Sequence, residues 1–130
     1  MRRAYRTLPA LALIALVSGS CRQPLHVSTL QIGRSLNVDR TVGIHATRFK
    51  PTDTIYSAVL TDRAGASTIT ARWWHAGRVL SETPKSVSYK GRAATDFLFV
   101  SPGGFPTGDY QVEILVDGQS VASREFHIQP

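Results

Sequence analysis

Cysteine and methionine are almost missing from this sequence, with Cys21 and Met1 the only examples of each. One thiol excludes an intrachain disulfide, so packing must replace the ~2–4 kcal/mol that such a bridge typically supplies. A copper site lacks its soft thioether ligand. Long apolar runs are also lacking. The run Leu8–Val17 has ten residues, about half of the roughly 20 that a helix needs to cross a bilayer, which excludes a polytopic membrane protein. Basic side chains are scattered from Arg22 to Arg124 with no run of three, so the electrostatic footprint of a nucleic-acid binder is missing.

Catalytic spacings are absent as well. His26, His45, His75 and His127 never fall at a short ligand spacing, and no Gly-x-Ser-x-Gly elbow occurs. Asp53, Asp62, Asp96 and Asp109 sit beside Thr, Gly or Arg, where turn capping explains them better than acid–base pairing. Ser101-Pro102-Gly103-Gly104 is followed by no helix and no Gly-Lys-Ser, so it reads as a turn and not a phosphate loop. The expectation is a protein that is not an enzyme and holds no metal or cofactor.

What is present divides in two. Arg2, Arg3 and Arg6, the apolar run Leu8–Val17 and the small residues Ser18, Gly19 and Ser20 before Cys21 make a three-part secretion signal. Gly19-Ser20-Cys21 resembles a bacterial lipoprotein box, with Ser18 where the commonest form has Leu. The resemblance implies cleavage after residue 20, lipidation of Cys21 and firm anchoring by several acyl chains. The alternative is an ordinary signal peptide that leaves a free N-terminal thiol, which is less comfortable in an oxidising compartment. Arg22, where an Asp would resemble an inner-membrane retention signal, favours the outer membrane, with the domain facing the periplasm. Without the three leader arginines, twelve basic residues stand against nine acidic ones, a net charge of +3 in place of +6.

Residues 1–20 are thus expected to be a lipoprotein signal peptide, 21–34 a tether or a first edge strand, and 35–130 the folded domain. That domain reads as β throughout: Leu36–His45, Thr54–Leu60, Thr68–His75, Val79–Glu82, Ser86–Tyr89, Thr95–Val100, Tyr110–Val116 and Val121–Ile128. Tyr110, Val112, Ile114 and Val116 alternate with Gln111, Glu113 and Leu115, and Asp117-Gly118 suits a type I′ hairpin into the last strand. There Val121 has the wrong parity for Phe126 and Ile128, which a bulge near Ser123 would repair. Trp73 shares parity with Ile69 and Ala71, and Pro106-Thr107-Gly108-Asp109-Tyr110 looks like a tyrosine corner. Seven or eight antiparallel strands of this kind make an all-β, immunoglobulin-like sandwich.

Phe49-Lys50-Pro51-Thr52-Asp53-Thr54-Ile55-Tyr56, Ala71-Arg72-Trp73, and Phe105-Pro106-Thr107-Gly108-Asp109-Tyr110 with Asp117-Gly118 resemble small bacterial immunoglobulin-like lipoproteins. The resemblance covers roughly residues 30–130 and implies a cell-envelope domain, with no established activity to carry over.

If Trp73 is buried, Trp74 points outward, and Leu115 does the same on the neighbouring strand. With Arg72 and Glu113 they form a candidate docking patch, since Trp and Arg dominate binding hot spots. The bland alternative is that Trp74 is covered or isolated. Leu98 and Val100 pose the same question on the opposite sheet, where a folded-back Leu36–Val38 segment would cover them. The leading expectation is a lipid-anchored, non-catalytic binding or assembly module whose partner is another envelope protein or a glycan. The alternatives are a carbohydrate-binding module stacking sugars on Trp74, Tyr56 and Tyr89, and a protease-inhibitor-like domain presenting Phe105–Asp109 or Arg63–Ser67.

Overall fold

The computed structural model describes residues 23–130, so Cys21 and the expected signal peptide lie outside the described residues. Eight strands follow in order: β1 Val27–Gly33, β2 Arg48–Phe49, β3 Ile55–Thr61, β4 Gly65–His75, β5 Arg78–Tyr89, β6 Ala93–Phe99, β7 Gly108–Val116 and β8 Gln119–Ile128. They form a three-stranded sheet, β1-β3-β6, and a five-stranded sheet, β2-β8-β7-β4-β5. All pairs are antiparallel except β2 with β8. That parallel pair arises because the first strand changes sheets. The chain leaves β1, makes a detour, and continues in the same direction beside β8.

The alternating residues of β4 and β7 put Ile69, Ala71, Trp73, Tyr110, Val112 and Ile114 between the sheets. Trp73 is buried, stacked on Phe99 with ring centroids 4.5 Å apart and meeting Phe126 edge-on. The Tyr110 hydroxyl donates to the Pro106 carbonyl at 2.6 Å, closing the expected tyrosine corner. Burial raises the Tyr110 pKa, so the phenol keeps the proton it donates. Asp117 and Gly118 adopt φ of 49° and 84°, the positive values a type I′ turn requires.

Three expectations are resolved. The first, that 21–34 is a tether or a first edge strand, is resolved towards the strand over the described residues 23–34: β1 lies at the edge of its sheet, and Leu25, Leu30 and Ile32 are buried in the core. The Leu25 N–H donates to Ser67 Oγ at 2.9 Å, and the Ala66 N–H to the Gln23 carbonyl at 3.1 Å. The packed domain therefore begins well before residue 35. Leu36–His45 is not a strand of either sheet. It is a fold-back joined by the isolated bridges Leu36↔Val42 and Gly33↔His45. The Asp39 carboxylate accepts from the Thr41 N–H at 3.0 Å and hydroxyl at 2.6 Å, and Arg40 at φ 69° completes the reversal. Val42 is the buried apolar residue of this segment, whereas Val38 is fully exposed, and Leu98 and Val100 stay about half exposed at 53% and 50%.

Third, the two expected strands Val79–Glu82 and Ser86–Tyr89 are one strand, β5, running through Pro84. Proline is tolerated there because β5 is an edge strand with no sheet neighbour on its far side. A bulge does interrupt the last hairpin, between Ile114 and Leu115, with Val121 as the extra residue in β8; Val121 stays half exposed and does not join the core.

Two basic side chains close the open flanks of the sandwich. Arg124 Nε donates to the Leu30 carbonyl at 3.0 Å, and Lys85 Nζ donates to the Asp96 carbonyl while lying 4.9 Å from the Phe97 ring centroid. An inward-pointing charge at a sheet edge also discourages pairing with another chain.

Candidate binding surface

The outer face of the five-stranded sheet is set by register. Since Trp73 points inward, its neighbours Arg72 and Trp74 point outward. Cross-strand pairing aligns Glu82, Arg72, Glu113 and Ser123 in one row and Val79, Trp74, Gln111 and Glu125 in the next. Beyond them, Asp109, His127 and Arg48 are in register at the end where β4 meets β5.

Of the four residues expected to form a patch, three meet. Arg72 Nη1 and Trp74 Nε1 both donate to Glu113 Oε1, each at 3.2 Å, and Arg72 Nε donates to Glu82. The guanidinium carbon lies 6.0 Å from the Trp74 ring centroid, within reach of a cation–π attraction. The Ser120 side chain, the Trp74 indole N–H and the Arg72 guanidinium hold the Glu113 carboxyl below the usual carboxylate range. Trp74 is half-buried, with its one polar atom bonded, so its orientation is fixed. Such a residue loses little side-chain entropy when a partner covers it.

Leu115 is the correction. It has the outward parity expected of it, yet it is buried at 6%. It lies on central strand β7, flanked by Thr70 on β4 and Ser120 on β8, with the bulge beside it. It supports the face and is not offered to a partner.

Sequence reasoning missed the hollow next to Trp74. An open concavity of about 600 Å³ is lined by Trp74, Arg48, His75, Gln111, Glu125 and His127 among others. His75 stacks on Tyr110 with centroids 4.0 Å apart, and its Nδ1 is 2.9 Å from the Asp109 carbonyl, so Nδ1–H donates. His127 Nδ1 pairs with the Asp109 carboxylate at 2.7 Å. Once Trp74 is assigned outward, the signal is the shared parity of Gln111, Glu125 and His127, but that requires the strand register. Among the described residues no three His, Cys, Asp or Glu converge to hold a metal ion.

The residues named for the alternatives are dispersed. Tyr56 lies on the other sheet, paired with Leu98. Tyr89 packs against the core with its hydroxyl 2.7 Å from Thr95 Oγ1, so the three rings share no platform. Phe105 is buried and its N–H is bonded to the Pro51 carbonyl at 2.8 Å, which plugs one end of the core. Gly65–Ser67 is the start of β4. Each proposed inhibitory segment is thus partly built into the fold, with Arg63 and Ala64 of one and Pro106 and Thr107 of the other exposed.

No family model and no curated protein matches the chain. Solved structures do share its fold. An immunoglobulin-like protein from Pseudomonas aeruginosa aligns with 84% of this chain and 99% of its own, at a TM-score of 0.55 and 10% identity. An alkylpurine DNA glycosylase from Pseudomonas fluorescens, solved with DNA containing an abasic site analog, aligns with 78% of this chain and 30% of its own, at a TM-score of 0.51 and 11% identity. Identities this low show the fold alone. The class is an all-β, immunoglobulin-like sandwich.

Proposed function

We propose that the chain is a lipid-anchored protein of the bacterial cell envelope whose immunoglobulin-like domain binds another envelope protein and carries out no chemistry itself. Anchoring rests on the three-part leader ending in Gly19-Ser20-Cys21. The binding role rests chiefly on one observation, the half-buried Trp74 held by Glu113 beside Arg72 at the rim of a hollow. Aromatic and arginine side chains in a pre-ordered cluster are the composition of a protein-binding hot spot. The dispersal of Tyr56 and Tyr89 removes the stacked-ring support for a glycan partner.

The test is chemical crosslinking in intact envelopes, comparing the natural chain with Trp74→Ala. A discrete crosslinked protein that disappears with Trp74→Ala, while the variant stays folded and anchored, is the expected result. Identical products from both chains contradict it, and retention on peptidoglycan or polysaccharide without a protein partner transfers the role to glycan binding.

A further inference from the structure

If Cys21 carries the lipid, the fold leaves very little slack between the membrane and the domain. Gln23 is already held by β4 through the Ala66 N–H, and Leu25 is buried in the core. At about 3.3–3.6 Å per residue, the two links from Cys21 to Gln23 span at most about 7 Å. The polar layer of one leaflet is itself only about 5–8 Å thick, the difference between a core of ~30 Å and a bilayer of ~40–45 Å shared over two sides. The nearest pole of the sandwich therefore has to lie within the headgroups or directly on them.

Strand register identifies that pole. Val27 pairs with Thr61, Thr61 with Ala93, and Gly65 with Tyr89. The turns between β3 and β4 and between β5 and β6 thus lie beside Gln23–Leu25. Their exposed cations are Arg63, Lys90 and Arg92, none of which makes an ion pair among the described residues. Three carboxylates share this pole, Asp62 bonded to His26, Asp39 to Thr41 and Asp117 to the Thr68 N–H, and these bonds leave their negative charges in place. The opposite pole also carries cations, Arg48, Lys50 and Arg78. Charge alone does not choose between the poles; the short covalent link does.

We infer that the pole bearing Arg63, Lys90 and Arg92 rests on the phosphates of the leaflet that holds the protein's own lipid, so that the Trp74 hollow at the other pole faces away from the membrane. This rests on the proposed lipidation and adds an orientation to it. The anchor and the cations act together, because a held pole meets the phosphates within a Debye length of ~8 Å at physiological salt. The partner-binding face then has to recruit from the periplasmic space, not from the plane of the membrane.

Two glycines provide unobtrusive reporter positions. A side chain added at Gly91, in the β5–β6 turn, or at Gly103, in the loop before β7, meets nothing within 4 Å, and neither residue has a positive φ. Lipidated Gly91→Cys and Gly103→Cys chains, with Cys21 blocked by its lipid, take a fluorophore at one site each. They are reconstituted in vesicles of phosphatidylethanolamine and phosphatidylglycerol containing a nitroxide-headgroup lipid. Quenching several-fold stronger at residue 91 than at residue 103 is expected, and equal quenching overturns the orientation. Reversing the cations with Arg63→Glu, Lys90→Glu and Arg92→Glu should bring residue 91 towards the residue 103 value; unchanged quenching denies the three cations their role. A chain that does not remain with vesicles after a salt wash overturns the anchoring itself, an outcome distinct from equal quenching on bound protein.

Discussion

Adjacent tryptophans show how much one step along a strand decides. Trp73 is inside, stacked on Phe99; Trp74 is outside, tied to Glu113. Trp73→Ala should cost about 3–5 kcal/mol of stability, the usual cost of emptying a large aromatic site, while Trp74→Phe should cost about 1 kcal/mol for one lost hydrogen bond. Urea unfolding of both variants checks this, and equal losses contradict the assignment of faces. Parity was enough to read these two residues from the sequence. It failed at Leu115 because outward is not the same as exposed on a central strand with neighbours on both sides. Glu113 carries a pH signature of the cluster. Its folded pKa is lowered, so its contribution to stability is complete above the unfolded value of about 4.3 and is lost as pH falls through the folded value. Glu113→Gln should flatten that part of the stability–pH curve, measured by thermal unfolding between neutral and acid pH.

At the scale of elements, short-range chemistry was legible and long-range pairing was not. Asp117-Gly118 specifies its turn through two positive φ values, and Tyr110 specifies its corner through a carbonyl four residues away. Segment 34–46 misled because Leu36, Val38, Val42 and Ile44 imitate strand alternation, although a turn at Asp39-Arg40 divides them. Its return is made possible by Gly33, where an added Cβ would stand 2.0 Å from the Ile44 carbonyl oxygen and 2.4 Å from a Val42 methyl. Gly33→Ala should therefore destabilise the fold by about 1–3 kcal/mol, as overpacking does. Faster hydrogen exchange should concentrate in the amides of Arg34, Gly43 and Ala46, whose bonds close the fold-back. Unchanged exchange there would contradict its packing against β1.

For the whole molecule, the sandwich is sealed on every side by identifiable residues. Phe105 plugs one end and Leu25 the other, while Arg124 and Lys85 close the flanks. The immunoglobulin-like class was legible from strand number, hairpin and corner. The start of the domain was not, because the apolar parity switches from Leu25 and Val27 to Leu30 and Ile32 across an irregularity between Val27 and Thr29, which hides the strand from a period-2 reading. A tether would tolerate Leu25→Ala without loss, whereas a core plug should lose about 2–5 kcal/mol. Denaturant unfolding separates the two. If Cys21 carries the proposed lipid, the buried Leu25 leaves only a short link between that anchor and the packed domain.

The proposed anchoring and the orientation built on it both depend on Cys21, so the most direct measurement is metabolic labelling with radioactive palmitate, followed by fractionation, for the natural chain and for Cys21→Ala. Label on the natural chain in the membrane fraction, with an unlabelled Cys21→Ala chain released from it, is the predicted result. A natural chain without label, or a Cys21→Ala chain that remains anchored, would contradict it.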